Sequence, residues 1–189
     1  MLRLFCVTLL QTCQVISSLP PNMGSEVAAT DTVVEGGALK NHFARFVTFL
    51  IVANGASFYH LYYHYNTPLS FIEMLLFSVV IAAFALRMWC YRILGRHFTF
   101  TLLTKEDHKL IDEGPYRYLI HPSYTGQLLQ SFATLAFFRS YLLIGPLLFY
   151  AIKTVLSRIQ IEEAMMMDKF KDEYKRYIEG KYRLIPYVY

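Results

Sequence analysis

Two apolar runs follow each other closely in the chain: SYTGQLLQSFATLAFF, from Ser123 to Phe138, and YLLIGPLLFYAIKTVL, from Tyr141 to Leu156. Only Arg139 and Ser140 separate them. Each run is near the lower length limit for a helix that crosses a bilayer. Both outer flanks are basic, and basic flanks are typical of the cytosolic face. The pattern predicts a helical hairpin that dips into the membrane from the cytosol, over about residues 123–157.

The composition of the whole chain supports a membrane protein. Of 189 residues, 55% are hydrophobic and 17% are charged, and the mean hydropathy is +0.33. A soluble domain of this length does not need so much apolar surface to form its core. The basic residues lie in groups between apolar runs rather than in a stripe, which argues against nucleic-acid binding. We therefore predict an all-α, multi-pass bundle of membrane helices.

The segments before the hairpin continue this pattern. Leu2–Leu19 is apolar and predicts a signal-like sequence, a short first membrane helix or a weak anchor. The polar segment Asn22–Lys40 predicts a linker. Phe43–Tyr63 and Leu69–Leu94 are long enough to span a bilayer. Lys and Arg cluster after the second of these spans, so residues 64–70 are expected in the lumen and residues 92–109 in the cytosol.

These patterns divide the chain into three predicted parts. Residues 1–42 form an N-terminal hydrophobic segment and a polar linker, and residues 43–94 form transmembrane helices. Residues 95–189 form a catalytic region, which contains the hairpin and ends in a cytosolic helix.

The three cysteines, Cys6, Cys13 and Cys90, all lie in apolar segments without a CxxC pair. Buried, reduced thiols are therefore expected. The histidines before the hairpin lack the spacing of metal ligands, so no metal site is predicted.

The segment GPYRYLIHPSYTG, from Gly114 to Gly126, precedes and enters the hairpin. His121 followed by Pro122 predicts a helix start, because Pro is favoured at the first helical position. The unpaired N–H groups of a first helical turn bind carboxylates and other anions. Tyr124 lies one turn after His121 on the same face. The same composition is also typical of a loop at the membrane interface.

The segment RIQIEEAMM, from Arg158 to Met166, follows the hairpin. Arg158 and Glu162 are four residues apart and share a helix face, whereas Glu163 points about 100° away. Arg presents a planar fork that suits carboxylates. An intrahelical salt bridge where the helix leaves the membrane is the alternative interpretation.

The two segments, ordered around an apolar hairpin, together resemble the isoprenylcysteine carboxyl methyltransferase family. LGRHFTF, from Leu94 to Phe100, resembles the family's Leu-Gly-Arg stretch, and FKDEYKRYIEGKYRLIP, from Phe170 to Pro186, resembles its C-terminal tail. The resemblance covers the chain from Leu94 onward.

The resemblance implies an enzyme of the endoplasmic reticulum membrane that uses S-adenosylmethionine to methylate the C-terminal carboxylate of a prenylated cysteine. Its implied partners are prenylated CaaX-type protein C-termini and the lipid bilayer. Arg158 maps to the arginine that binds the substrate, and it and Glu162 map to catalytic positions. The implied cofactor contacts are His108, Lys109, Leu110, Ile111, Tyr116, His121, Pro122, Ser123, Tyr124 and Glu162.

This chain departs from the family at one position. The family has Arg before His-Pro, whereas Ile120 stands here. Arg117 is the nearest arginine that could replace it. Thr101 is a further, upstream candidate for a cofactor contact.

Other functions fit parts of the same pattern. A phospholipid amine N-methyltransferase would need a base for its amine acceptor, and His121 could serve. A cation at Arg158 instead favours an anionic acceptor. A sterol-reductase-like enzyme that uses NADPH also has HPxY and a YR-x-x-P-Y tail, which KYRLIPYVY matches, but Glu162 and Glu163 fit the methyltransferases better. A membrane scaffold would not explain polar groups on both sides of one hairpin.

Overall fold

The computed structural model describes residues 2–18, 32–33, 52, 55–64, 66–95, 103–104 and 110–188. Helices dominate these residues, as predicted. Their bounds are α1 Leu2–Ser18, α2 residues 55–64, α3 Phe71–Leu94, a 3₁₀ helix Gly114–Arg117, α4 Pro122–Phe137, α5 Tyr141–Phe170 and α6 Asp172–Ile178. Two strands of two residues each, β1 Thr32–Val33 and β2 Leu103–Thr104, pair antiparallel. This strand pair was not predicted.

The start of α3 is set by a capping box. The Ser70 hydroxyl accepts from the Glu73 N–H at 3.2 Å, and the Glu73 carboxylate accepts from the Ser70 N–H at 2.8 Å. Such a box satisfies N–H groups that the first turn leaves without helical partners. The helix therefore begins two residues after the predicted start of this span, Leu69.

The contacts between helices define their relative directions. Arg3, at the start of α1, donates to both carboxylate oxygens of Glu73, at 2.9 and 3.0 Å. At the other end, the Ser17 carbonyl of α1 accepts from Arg87 of α3 at 2.7 Å. The helices α1 and α3 are therefore parallel. Arg87 also donates to the Ser123 carbonyl at 3.0 Å, so the start of α4 lies at the end of α3.

An apolar core lies between α1, α3 and α4. It contains Leu10, Val80, Ala133 and Phe137, all fully buried or nearly so. Gly126 lets α4 approach α3 closely, because a Cβ there would lie 2.8 Å from Arg87 Cγ and 3.0 Å from the Ala83 carbonyl oxygen.

The helices α4 and α5 follow each other as the two arms of a hairpin. Residues Phe138–Ser140 join α4 to α5, and Arg139 is the middle residue of this connection. Arg139 Nη2 lies 3.3 Å from Glu73 Oε1, so the tip of the hairpin reaches the beginning of α3. Because α4 begins near Arg87, α4 runs along about 21 Å of α3, at 1.5 Å per residue. How this hairpin lies relative to a membrane stays a prediction, and its tip lies beside the first turn of α3.

The helix α3 has the length and composition of a membrane span. It is the one helix among the described residues that is long and apolar enough, and only 22% of its most apolar window is buried within the protein. The core helix of a soluble protein would bury far more of such a surface. Phe71, Ile72 and Trp89 are among its exposed side chains. The helix α1 is also apolar but shorter.

The helix α5 is continuous for 30 residues, about 45 Å at the rise of an α-helix. Pro146 lies within it without ending it. The apolar run and the polar segment that begins at Arg158 are thus one helix, as predicted. Lys171, with φ of +47°, ends α5 and starts the short helix α6.

A buried polar cluster lies at the tip of the hairpin. His60 of α2 and Arg3 are in contact, and both lie beside Glu73. Arg3, His60 and Glu73 are each at most 3% exposed. Burying an ion pair costs solvation energy, which good geometry and several partners offset. The sequence analysis missed this cluster, because its members are far apart in the chain.

Other expectations are met in part or lie outside the description. Cys6, Cys13 and Cys90 are buried and free, as predicted. The helix predicted at the N-terminus is observed as α1. Of the predicted span Phe43–Tyr63, the structure describes residues 52 and 55–63, and residues 55–63 are helical within α2.

Candidate active site

His121 occupies the position predicted for it. It is the N-cap of α4, and Pro122 is the first residue of the helix. The rings of His121 and Tyr124 are 5.8 Å apart between centroids, so the two side chains share one side of the first turn. This turn faces α5 at the point where α5 leaves its apolar half.

The polar part of α5 supplies the opposite wall. Arg158 Nη2 lies 3.4 Å from Glu162 Oε1, an i,i+4 pair on one face. The Tyr124 hydroxyl of α4 donates a short hydrogen bond to the same Glu162 oxygen. The Arg158 guanidinium lies 6.0 Å from the centroid of the Tyr124 ring. Arg158 and Glu162 therefore belong to a contact between two helices as well as to an intrahelical pair.

Glu163 joins the same cluster from a different angle. Its Oε1 lies 3.4 Å from His121 Nε2, whereas Glu162 Oε2 lies 3.7 Å from His121 Nδ1. The imidazole is therefore flanked by both carboxylates. Arg183 donates to both oxygens of Glu163, Nε at 2.8 Å and Nη2 at 3.0 Å.

The pKa of Glu163 reflects this environment. Burial alone would raise it, but hydrogen bonds from His121 and Arg183, together with their charges, lower the pKa below its ordinary value. A carboxylate with these partners remains ionised at neutral pH, so it acts only as an acceptor.

The segment that carries Arg183 is held against the loop before α4, and we call residues 181–184 the C-terminal strap. The Ile120 N–H donates to the Tyr182 carbonyl at 2.8 Å, and the His121 N–H donates to the Arg183 carbonyl at 3.0 Å. The Thr125 hydroxyl donates to the Leu184 carbonyl at 2.6 Å. The strap therefore accepts hydrogen bonds from the start of α4 and from the residue before it, and these bonds hold Arg183 in place.

Two further contacts anchor the loop before the 3₁₀ helix. Tyr177 of α6 donates to the Ile111 carbonyl at 2.8 Å. Burial, followed by the charge of Asp112, raises the pKa of Tyr177 to about 12, so this hydroxyl keeps its proton. Lys181 pairs with Asp112 at 2.8 Å and lies over the Tyr177 ring.

Arg87 supports the site from behind. Its guanidinium donates to the carbonyl of Ser123, to the Gln127 side chain, to the Ser17 carbonyl and to Tyr91. As one of the basic residues near the end of the span Leu69–Leu94, Arg87 is, from sequence alone, mainly a topology signal. It joins the end of α1, the end of α3 and the first turn of α4, so the first turn has a rigid support.

The remaining predicted cofactor residues have separate locations. Pro122 is buried at the start of α4, and Leu110 and Ile111 are half-buried in the loop below it. Tyr116 is 6% exposed; burial and the neighbouring Cys90 raise the pKa of its hydroxyl. The predicted residues His108, Lys109 and Thr101 lie outside the described residues.

The departure at residue 120 has a structural counterpart. The Ile120 side chain is buried, at 7% exposure. Arg117, the suggested replacement, is exposed in the 3₁₀ helix, and within the described part of the chain it makes no ion pair with the cluster. Arg183 instead supplies the additional cation beside His121.

Arg183 is the functional candidate that the sequence analysis missed. It lies 20 residues from Glu163 and beyond a helix end, so neither helical nor strand spacing predicts their contact. The resemblances of the tail KYRLIPYVY to two enzyme families assign no role to Arg183.

The cluster offers both signs of charge in a small space. Arg158 is 11% exposed at its side chain and Arg183 is 41% exposed, while Glu162 is 25% and Glu163 16% exposed. Charges held this way can bind a ligand that carries both an ammonium and a carboxylate. Across the described ranges, no group of three or more His, Cys, Asp or Glu side chains is arranged to hold a metal ion.

Comparison with known proteins identifies the family. The model of the isoprenylcysteine carboxyl methyltransferase (ICMT) family matches residues 74–168, which is half of the chain. This range runs from α3 through most of α5 and includes His121 and Arg158, but not Arg183.

Two curated relatives agree with this match. They are described as probable protein-S-isoprenylcysteine O-methyltransferases, one from Oryza sativa subsp. indica and one from Oryza sativa subsp. japonica. Each is 32% identical over 101 residues, which is 50% of this chain and 50% of the relative. The chain thus spans about half the length of the curated relatives it matches. Since the family match includes both helices that form the polar cluster, the chain belongs to the isoprenylcysteine carboxyl methyltransferase family.

Proposed function

We propose that the chain transfers a methyl group from S-adenosylmethionine to the C-terminal carboxylate of a prenylated cysteine. The observation that carries this proposal is the meeting of Tyr124, Arg158 and Glu162 where the apolar hairpin opens. A prenylated cysteine has an apolar chain and a carboxylate at one end. A site with apolar helices on one side and an arginine at their boundary suits both parts.

The residues present also fit the methyl donor. Its amino-acid end carries an ammonium and a carboxylate, and its reacting end carries a sulfonium. Glu162 and His121 offer acceptors for the ammonium. In the first turn of α4, Pro122 has no N–H and the Tyr124 N–H donates to the His121 carbonyl, so the Ser123 N–H is the backbone donor that suits the carboxylate. The Tyr124 ring face suits a sulfonium cation. When bound, S-adenosylmethionine supplies an activated methyl group, which no side chain in the site provides.

Arg158 is assigned to the acceptor carboxylate. Its guanidinium would hold one oxygen and leave a lone pair on the other directed at the methyl carbon. That oxygen forms the new O–CH₃ bond, while the C–S bond breaks and its electron pair remains on sulfur. The acceptor is already ionised at neutral pH, so no proton moves and no general base is required. The catalytic contribution of the residues is alignment and exclusion of water.

Arg158 also discriminates between acceptors. A phospholipid amine N-methyltransferase requires a base and gains nothing from a cation beside its acceptor. His121, whose ring is flanked by Glu162 and Glu163, could be that base, so the discrimination between acceptors depends on Arg158. The pairing of Arg158 with an otherwise apolar hairpin therefore favours a carboxylate acceptor.

The membrane arrangement is part of the same proposal. We infer a multi-pass protein of the endoplasmic reticulum membrane in which α3, α4 and the first half of α5 cross the bilayer. The hydrophobic core of a bilayer is about 30 Å thick, and α3 is about 36 Å long by helical rise. The exposed apolar surface of α3 supports this. Residues 95–189 are then the catalytic region, with prenylated protein C-termini as substrates.

A methyl-transfer assay in membranes tests the function. The chain is supplied with radiolabelled methyl donor and either a farnesylated cysteine analogue or phosphatidylethanolamine. Label that is released by base from the farnesylated analogue is expected, because a methyl ester is base-labile. Base-stable label on the phospholipid would contradict the proposal.

Variants at Arg158 locate the acceptor site. Arg158→Ala is expected to lower kcat/KM for the prenylated acceptor by about 100-fold or more, because an aligned charge contact is lost. Arg176→Ala is the matched control, since Arg176 is exposed on α6 and contacts Asp172. Equal activity of the two variants would remove Arg158 from the acceptor site.

A further inference from the structure

Arg183 contacts the His121 region in two ways. Its carbonyl accepts the His121 N–H at 3.0 Å, and its guanidinium grips both oxygens of Glu163. Glu163 in turn lies 3.4 Å from His121 Nε2. Arg183 of the C-terminal strap thus contacts the backbone of His121 directly and its imidazole ring through Glu163.

The carboxylate held by Arg183 fixes a proton on one nitrogen of the His121 ring. Ionised Glu163 only accepts hydrogen bonds, so the ring nitrogen that faces it, Nε2, carries the proton. In the neutral ring the other nitrogen, Nδ1, is then an acceptor. It lies 3.7 Å from Glu162 Oε2, which is also an acceptor.

Two acceptors that face each other at this distance need a donor to join them. An ammonium group has three N–H donors and a positive charge, and it satisfies both acceptors at once. A hydroxyl or a carboxylate lacks this combination. The gap between His121 and Glu162 is therefore suited to an ammonium, provided that Glu163 keeps the Nε2 proton in place.

We propose that Arg183 is a positioning residue for the amino-acid end of the methyl donor, acting through Glu163 and His121. By pairing with Glu163, Arg183 also prevents that carboxylate from competing with Glu162 for the ammonium. The C-terminal strap thus holds Glu163 in an ion pair and leaves Glu162 to bind the ammonium. This inference rests on the proposed function, because it assumes the same methyl donor.

The strap has anchors other than the Arg183 side chain. Lys181 pairs with Asp112, and Leu184 accepts from Thr125. The Leu184 side chain is itself buried against Val155 and Ile159 of α5. Removing the Arg183 guanidinium is therefore expected to leave the strap in place while Glu163 loses its cationic partner.

Binding measurements on the purified full chain in detergent test the role of Arg183. The probes are S-adenosylhomocysteine, which keeps the ammonium, and its analogue without the amino group. Arg183→Gln is expected to weaken S-adenosylhomocysteine binding about tenfold, the size of one charge-assisted hydrogen bond. The deaminated analogue should bind the wild type and Arg183→Gln equally. Arg183→Lys should restore part of the loss, and Arg176→Gln is the control without effect.

Two further readouts separate positioning from a general structural role. The KM for the methyl donor should rise in Arg183→Gln, with little change in kcat. Nitrogen-15 NMR of His121 should show the proton on Nε2 in the wild type and a mixture of the two tautomers in the variant. Equal loss for both probes, or no loss for either, would overturn the inference.

The failures of the two proposals are distinguishable. If the wild type does not methylate farnesylated cysteine but Arg183→Gln still discriminates between the probes, the acceptor assignment is wrong and the role of Arg183 stands. If methylation occurs but Arg183→Gln binds both probes like the wild type, only the role of Arg183 is wrong. A wild type that binds neither probe would overturn both.

Discussion

Glu162 and Glu163 are adjacent in the chain and have different partners in space. The helical period turns one toward Tyr124 and Arg158 and the other toward Arg183. His121 lies between them and contacts both. The two adjacent glutamates therefore belong to separate ion pairs, Glu162 with Arg158 and Glu163 with Arg183.

The lowered pKa of Glu163 predicts a pH-dependent stability. The groups around it are His121 at the start of α4, Arg183 on the strap, Glu162 beside it and Tyr174 on α6, whose pKa is raised by burial and then by the charge of Glu163. A lowered pKa in the folded state stabilises the fold above the ordinary value of 4.5. This contribution is lost as the pH falls through the lower, folded value.

The measurement compares thermal unfolding of the wild type and Glu163→Gln from about pH 6 to about pH 3. The wild type is expected to unfold at the higher temperature near pH 6, and the difference should shrink below pH 4.5. Other carboxylates titrate in both proteins and cancel in the comparison. A difference that stays constant over this range would show that the charge of Glu163 is not its source.

At the scale of elements, the contact between α3 and α4 positions the site. His121 and Tyr124 lie in the first turn of α4, and that turn is fixed by Arg87 from α3. Gly126 is a point of close approach, because a side chain there would meet Arg87 and the Ala83 carbonyl. The first turn of α4 can therefore lie this close to α3 only because Gly126, one turn later, has no side chain.

Gly126→Ala is expected to destabilise the protein by about 1–3 kcal/mol, the usual cost of overpacking. Gly145→Ala is the matched control. Gly145 is also helical, but a Cβ there has no neighbour within 4 Å, so Ala should stabilise by about 0.5–1 kcal/mol. Thermal or denaturant unfolding in detergent measures both changes. Similar stability of the two variants would mean that α3 and α4 are separated more widely than in this structure.

At the scale of the whole molecule, polar clusters lie at opposite ends of an apolar bundle. Arg3, His60 and Glu73 meet Arg139 at the hairpin tip, whereas His121 and the Arg158–Glu163 segment meet where the hairpin opens. The apolar helices between them form the part of the molecule suited to lipid. The tip cluster connects α1, α2, α3 and the hairpin.

This arrangement predicts the topology of the hairpin. If α3 and the hairpin cross together, Asn66→Cys and Ser140→Cys should react with an impermeant maleimide from one side of sealed vesicles. Asp172→Cys should react from the other side. The native cysteines are buried and provide little background. Reaction of Ser140→Cys from the Asp172 side would contradict a hairpin that crosses with α3.

The sequence by itself determined the main helices of this protein and their order. The lengths of the apolar runs predicted α3, α4 and the apolar half of α5, because burial of a helix in lipid or core needs an unbroken apolar surface. The His121-Pro122 pair predicted the start of α4. The i,i+4 rule predicted the Arg158–Glu162 pair, since helical spacing is a local property.

Tertiary structure alone decided which distant groups meet. The pairing of Arg183 with Glu163, the role of Arg87 behind Ser123 and the cluster at the hairpin tip join residues from separate helices and from the strap. No period in the sequence encodes such contacts, because they depend on how far α4 runs along α3 and where the chain turns after α5. The two opening segments lie near each other in space through the hairpin, but the residue that organises them comes from the end of the chain.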